Sequence, residues 1–387
     1  MSQAFDASRS LTALEQDSTL VVVVEMSQSS WLAAAEVPGL SRQPLKKLKV
    51  DADGLLKQLH RWRDQAVKAG HRIGRIALAF EAGRDGFWLA RWLLARGIEA
   101  YVIHAASVAV SREHRRAKSD RLDTEQLMRS FIGWLRGEKR HCSMAAIPTM
   151  AEEDARRPSR EREKLVGEQT RLVSRIKAIL TRFGVGKLPL TRQAEAKLAA
   201  LRTPEGVPLP ENTLAELRRS LALLRVVREQ IREIEGERLR KLAASANHDG
   251  PAVMVRLLAR ILGIGVETAD MLVQEILSRK LRDRRAVARY AGLTGAPDES
   301  GKRRREKGLA RAGNARVRRG MIQLAWRFLK FQRDSALAQW FAARTADGRR
   351  VTRKTMIVAL ARKLLIALWQ MVTTGEVPEG LVLRPVS

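Results

Sequence analysis

The chain has 387 residues, too long for one ordinary core and sized for two or three domains. Its 45% apolar content excludes a disordered basic tail, while 72 Lys plus Arg against 42 Asp plus Glu gives a formal charge of +30, which points to a polyanionic partner, nucleic acid first. A single cysteine, Cys142, excludes a disulfide framework or a cysteine-based zinc site within one chain and fits a reducing cytosol.

Near the N-terminus, Leu20-Val21-Val22-Val23-Val24 has the β-branched pattern of a buried central strand and ends at Glu25. Residues 30–37 predict a second strand closed by Pro38-Gly39, and residues 45–50 a third. Asp51 or Asp53 then caps a helix running to Ala69, with Leu55, Leu56, Leu59 and Trp62 at helical spacing. Residues 75–80 give a fourth strand, which ends at Glu81. After a glycine turn comes a helix through Trp88 and Trp92 closed by Gly97, then a fifth strand at residues 100–103. A basic loop with Arg112, His114, Arg115 and Arg116 leads to Lys118-Ser119-Asp120-Arg121-Leu122-Asp123, which opens a further helix. Three strands followed by alternating helices and strands predict a mixed sheet covered by helices.

Asp120 and Asp123, at i and i+3, share one helix face. Their mutual repulsion calls for a cation between them, either a basic side chain or a divalent metal. The simpler reading is a solvated first turn at the positive end of the helix dipole. Glu25 and Glu81 raise the metal reading, because strand ends near a sheet's centre are where ligand sites gather. An all-oxygen set of Glu25, Glu81, Asp120 and Asp123 suits Mg²⁺ or Mn²⁺.

The middle of the chain is highly charged and helical. Residues 165–183 carry Leu172, Ile176, Ile179 and Leu180 on one side. Residues 214–242 place Leu217, Leu224 and Ile231 seven apart, with Leu221, Val227 and Ile234 beside them. This is a short coiled-coil seam, either an intrachain hairpin or a contact between subunits, and an assembly role is the favoured expectation.

Residues 256–265, followed by Glu267-Thr268-Ala269, resemble a helix-hairpin-helix element. Gly263 and Gly265 permit the tight hairpin, and the second helix offers N–H groups to a DNA phosphate. Residues 290–301 read as a loop bearing Ser300, followed by Lys302-Arg303-Arg304-Arg305 and then Asn314 and Arg316, a basic field that draws phosphates. Residues 355–375 are apolar but broken by Arg362 and Lys363, which predicts an amphipathic or buried helix. With a polar start that lacks a signal-peptide layout, no membrane segment is expected.

Glu25, Glu81-Ala82-Gly83 and Lys118 to Asp123 followed by Thr124 resemble the RuvC-like domain of DEDD-type transposases, the recombinases of a large group of bacterial insertion sequences. Where that family's commonest first letter is Asp this chain has Glu25, and Glu still ligates an oxygen-seeking cation. The order of Leu262-Gly263-Ile264-Gly265, Gly292-Leu293, Ser300-Gly301 and Gly313-Asn314 is similar to the same family's C-terminal domain. The resemblance implies a fold of class α/β plus all-α: an RNase H/RuvC-like mixed sheet at residues 18–145, a helical coiled-coil spacer at 155–245, and a helical C-terminal transposase domain at 250–375 with the helix-hairpin-helix and serine loop. It implies that Ser300 is the nucleophile and that Glu25, Glu81, Asp120 and Asp123 hold Mg²⁺ or Mn²⁺. Arg115, Arg116, Lys118, Gly263, Gly265, Lys302, Arg303, Arg304, Arg305, Asn314 and Arg316 are the expected nucleic-acid contacts. The implied partners are donor and target DNA, a structured guide (bridge) RNA, and further copies of the chain as dimers to tetramers, in the bacterial cytoplasm at the nucleoid. Two alternatives compete: a Mg²⁺-dependent resolvase-like nuclease that activates water, and a catalytically decayed nucleic-acid-binding protein.

Overall fold

A computed structural model of the chain describes residues 14–83, 86–108, 120–138, 141–186, 188–245, 250–300, 303–310 and 312–385. The chain divides into two compact units, Met1–Ala151 and Glu152–Ser387.

The first unit is built on a six-stranded mixed sheet in the order β3-β2-β1-β4-β5-β6. Its elements are β1 (Thr19–Met26), β2 (Trp31–Glu36), β3 (Leu45–Leu48), α1 (Ala52–Lys68), β4 (Arg75–Glu81), α2 (Trp88–Leu94), β5 (Glu99–Ile103), α3 (Asp120–Leu135) and β6 (Met144–Ala145). The chain winds antiparallel through β1, β2 and β3, then crosses to the other side of β1, where β4 and β5 run parallel to it. The alternation of side chains explains why β1 reads as continuously apolar. Leu20, Val22 and Val24 pack with Leu78, Phe80, Ala100 and Val102 on the face covered by α1 and α2. Val21 and Val23 pack with Ala77, Ala79, Tyr101 and Ile103 on the face covered by α3, against Leu127, Met128, Phe131 and Trp134. A strand with helices on both faces has no solvent side to encode.

The N-cap of α1 is Asp51, whose carboxylate accepts from the N–H groups of Asp53 (3.1 Å) and Gly54 (2.9 Å). β3, Leu-Lys-Lys-Leu, lies at a sheet edge, where exposed lysines discourage pairing with another chain. The expected five strands become six, because the two-residue β6 pairs antiparallel with β5 after α3. Two residues carry too little pattern to be read from sequence.

The second unit is helical with one β-hairpin. It contains α4 (Met150–Asp154), which begins just before the boundary, then α5 (Arg157–Arg182), α6 (Ala194–Leu198), α7 (Glu211–Ala244), α8 (Pro251–Ala259), α9 (Val266–Leu272), a π-helical turn (Val273–Leu277) and α10 (Arg284–Tyr290). After these come β7 (Gly295–Ser300), β8 (Arg303–Leu309), α11 (Ala315–Phe331), α12 (Ala336–Arg344) and α13 (Arg350–Thr374). The heptad seam is an intrachain one: Leu172, Ile176 and Ile179 of α5 pack with Leu217, Leu224 and Ile231 of α7. An ion pair from Arg162, early in α5, to Glu235, late in α7, fixes the two as antiparallel.

The core of the C-terminal helices forms around α13, whose Ile357, Leu360, Leu364, Leu365 and Leu368 pack with Leu258, Ile261, Ile276, Val317 and Phe328. Among the described residues α13 is the one helix long and apolar enough to cross a membrane, and this core is what its apolar face covers.

The segment expected to be a loop at residues 290–301 is instead the end of α10, a glycine turn and strand β7, paired antiparallel with β8. Pro297 and Gly295 gave the loop signal, yet both fit here. The register shifts between them, and a two-stranded ribbon is edge on both sides, so the missing N–H of Pro297 is tolerated. The register also sets Asp298 opposite Arg305 and Glu299 opposite Arg304, so acids and bases occupy facing positions. The C-terminal part is therefore not purely helical.

Candidate functional site

The parallel register of β1 and β4 pairs Val24 with Phe80. One step further along both strands, past the last ladder pair, stand Glu25 and Glu81 at adjacent strand ends. Counting in twos from Val21 and Ala77 puts both carboxylates on the face covered by α3. Connectivity reverses between β1 and β4, so their carboxyl ends open the crevice in which sheets of this type bind ligands.

α3 brings the other two acids to the same end. Its C-terminal half lies over Tyr101, whose ring centroid is 5.2 Å from that of Phe131 and 5.3 Å from that of Trp134. The Tyr101 hydroxyl in turn donates to Glu99 (2.7 Å) and accepts from Arg75 (3.2 Å), the first residues of β5 and β4. α3 thus runs opposite to β1, and its first turn comes to the strand ends where Glu25 and Glu81 stand. Asp120 is the first residue of α3 and Asp123 is exposed one turn later. The side chain of Asp120 lies outside those described. Among the described residues no three His, Cys, Asp or Glu gather in metal-binding geometry. The sequence marked these four positions by two strand ends and a helix start, and the structure puts Glu25 and Glu81 at adjacent strand ends on the face that α3 covers.

Arg115, Arg116, Lys118 and Lys302 lie outside the described residues. Ser300 is the last residue of β7, in register with Arg303 across the hairpin tip, and Arg304 and Arg305 follow on β8. The base of this hairpin is tightly built. Gly313 has φ 88° and a Cβ there would fall 2.6 Å from the carbonyl oxygens of Arg289 and Tyr290. Thr294 accepts from the N–H of Ala310 (3.1 Å), and Tyr290 accepts from that of Asn314 (2.6 Å).

Asn314, expected to contact nucleic acid, is engaged within the unit. Its Oδ1 caps α11 by accepting from the N–H groups of Arg316 (3.0 Å) and Val317 (3.3 Å), and its Nδ2 donates to Glu275 (3.0 Å). Glu275 is 1% exposed and also accepts two bonds from Arg160, at 2.8 and 3.1 Å. Arg316 lies 3.5 Å from the same carboxylate and pairs with Glu163 on α5. Burial pushes the Glu275 carboxyl up, but the bonds and charge of Arg160, with Asn314 and Arg156, hold it below the usual carboxylate range. Sequence reasoning missed Glu275. Its signal was a lone acid inside the apolar run Met271 to Leu277, because an unpaired carboxylate is not left in such a place.

Gly263 and Gly265 form the corner between α8 and α9. Gly263 has φ 96°, and a Cβ on it would press 3.0 Å against Phe331. The corner is backed by buried Gln332, which donates to the carbonyls of Leu262 (2.8 Å) and Val382 (2.9 Å). Glu267, in the first turn of α9, is paired with Arg162 and Arg238.

Comparison with known proteins gives this arrangement its context. Residues 255–340, from within α8 to within α12 and including the Ser300 hairpin and Glu275, match the family model described as Transposase IS116/IS110/IS902 family. Over 387 aligned residues, 96% of this chain and 97% of the relative, the chain is 42% identical to a Sinorhizobium fredii protein named "Putative transposase y4rJ". With a family model on its C-terminal unit and near full-length identity to a protein of that name, the chain belongs to the IS116/IS110/IS902 family of transposases.

Proposed function

We propose that this transposase cuts and rejoins DNA through Ser300, with Mg²⁺ or Mn²⁺ held by Glu25, Glu81, Asp120 and Asp123. The observation that carries the reading is the register of β1 on β4, which brings Glu25 and Glu81 to adjacent strand ends on the face covered by α3, the helix that Asp120 and Asp123 open. Four carboxylates without nitrogen or sulfur ligands are the donor set of a hard cation. Such a cation, when bound, supplies neutralisation of phosphate charge and acidifies a coordinated hydroxyl.

The chain's own residues do the rest. The Ser300 Oγ attacks the scissile phosphorus, a P–O bond to one deoxyribose breaks, and the serine proton reaches the released hydroxyl by way of solvent. The phosphoserine link conserves the diester, so attack by a hydroxyl of another strand rejoins DNA and frees the serine without ATP. Arg303, Arg304 and Arg305 follow Ser300 across the hairpin tip, a position from which to hold the phosphate. The likeness to DEDD-type transposases and the charge of +30 support two further parts of the proposal: a structured guide RNA, and assembly as dimers to tetramers.

The test is a denaturation-resistant protein–DNA adduct. Wild type forms it with Mg²⁺, S300A does not, and S300A binds DNA as wild type does. Clean hydrolysis with no adduct in wild type, or an adduct in S300A, overturns the serine assignment. For the carboxylates, E81Q and D123N each weaken Mn²⁺ binding at least tenfold, the loss of about 1.4 kcal/mol from one ligand, as read by electron paramagnetic resonance. Unchanged Mn²⁺ affinity in both variants removes the metal assignment.

A further inference from the structure

The second unit holds a groove of about 910 Å³ whose charged lining is of one sign. Arg284 and Arg285 enter it from α10, and Lys354, Arg362 and Lys363 from α13. Among the described residues no Asp or Glu lines it, and no carboxylate pairs with any of these five cations. Another cluster of cations in this unit is matched. The neighbourhood of Arg162, Arg316 and Arg319 contains Glu163 and Glu267, and each of the three makes an ion pair there.

α13 explains how the groove is made. One face of the helix, Ile357, Leu360, Leu364 and Leu368, fills the core. A second face, offset by about a third of a turn, carries Lys354, Val358, Arg362 and Ile366 at i, i+4 spacing and forms the groove wall. Its cations are exposed above a floor of partly buried Val358, Ala359 and Ile366. Lys363 is held over the ring of Trp340, 4.9 Å from its centroid, which fixes the ammonium without neutralising it. Like charges clustered in this way repel one another, and a polyanion relieves that repulsion. Charged rims over an apolar floor suit a phosphodiester strand, with phosphates on the rim and sugar faces below.

The groove also has a position relative to the hairpin: Gly295, Gly308 and Leu309, the base of β7 and β8, form part of its lining. We propose that this groove holds the DNA strand that leads to the Ser300 hairpin, gripping it through its phosphates without reading sequence. The proposal rests on the reading of Ser300 as the residue that engages DNA.

The test is the salt dependence of DNA affinity, measured on the full chain with a fluorescein-labelled duplex of arbitrary sequence. Each phosphate contact contributes about −0.9 to the slope of log K against log salt. The variant R285Q/K354Q/R362Q is expected to flatten the slope by about 2.7, so that a fourfold rise in salt costs it about 40-fold less affinity than it costs wild type. R362K is expected to keep the wild-type slope, because the contact needs charge only. R218Q/R219Q/R225Q, exposed positions on α7 with the same change in net charge, is expected to leave the slope unchanged. The proposal is overturned if the groove variant keeps the wild-type slope, or if the α7 variant flattens it equally. It is also overturned if the groove variant alters only the slope for a structured RNA. S300A separates the two readings: it keeps the wild-type slope, and the presence or absence of its adduct bears on the serine alone.

Discussion

Replacing Glu275 by Gln keeps its volume and removes one buried charge, which makes E275Q a direct measure of what ties α5 to the base of the Ser300 hairpin. The carboxylate accepts two bonds from Arg160 and one from Asn314, all charge-assisted. A Gln amide accepts at its oxygen only and turns its NH₂ toward a second donor. Breaking a fully buried pair from one side costs about 3–5 kcal/mol. The Arg160 side chain, however, is 41% exposed and regains water, so the expected loss is about 2–3 kcal/mol. For a unit of this size that lowers Tm by about 4–12 °C, read by differential scanning calorimetry of the full chain at neutral pH.

The pH dependence has a definite sign. The folded pKa of Glu275 is depressed, so its stabilisation is fully present above the unfolded carboxylate value near about 4.3 and is lost as pH falls through the folded pKa. The gap in Tm between wild type and E275Q should therefore be constant from neutral pH down to about pH 5 and close below about pH 4. A variant that melts with wild type at neutral pH refutes the anchoring role. A gap that persists unchanged in acid refutes the electrostatic cause.

Other positions give independent checks. G313A should destabilise the second unit by about 2–4 kcal/mol, from left-handed strain plus collision with backbone carbonyls. G186A, where a Cβ meets nothing within 4 Å, should stay within about 0.5 kcal/mol of wild type, and equal urea midpoints for the two would contradict the description of the hairpin base. Cys142 is buried, and burial pushes its thiol up to about 11. The folded protein should therefore not react with a thiol-disulfide reagent at neutral pH until denaturant is added, and prompt labelling of the native chain would show that α3 does not cover it.

What could be read from the sequence was local. The Val21–Val24 run, the Asp51 cap, the turn glycines and the helix opened by Asp120 each follow from patterns of a few residues, and each stands where it was expected. The sequence also marked Glu25, Glu81, Asp120 and Asp123, because strand ends and helix starts are local features. It could not show that β1 and β4 are parallel neighbours that bring Glu25 and Glu81 to adjacent strand ends, since register is decided by contacts more than fifty residues apart in the chain. The β7–β8 hairpin was missed for a related reason. It has no hydrophobic alternation, and its facing acids and bases show only once the two strands are aligned. The seam between α5 and α7 was legible as a heptad pattern but not as intrachain, because the same apolar spacing serves either partner.

The charge of the chain shows the same division between local and long-range information. From composition, the excess of Lys and Arg pointed outward to nucleic acid as a single undivided quantity. In the folded second unit part of it is compensated and part is not. Arg160, Arg162, Arg238 and Arg316 are held by Glu275, Glu235, Glu267, Asp270 and Glu163, and they join α5 and α7 to the helices around the serine hairpin. These cations are already compensated, and removing one from its pair changes stability more than it changes affinity for a polyanion. The cations of the groove between α10 and α13 have no such carboxylates, so the field they make reaches solvent. For a strongly basic protein, which cations are left to face a polyanion therefore depends on the fold. A run of Arg and Lys in the sequence does not identify them by itself, because contacts made across the fold decide which cations carboxylates answer, as Glu275 answers Arg160.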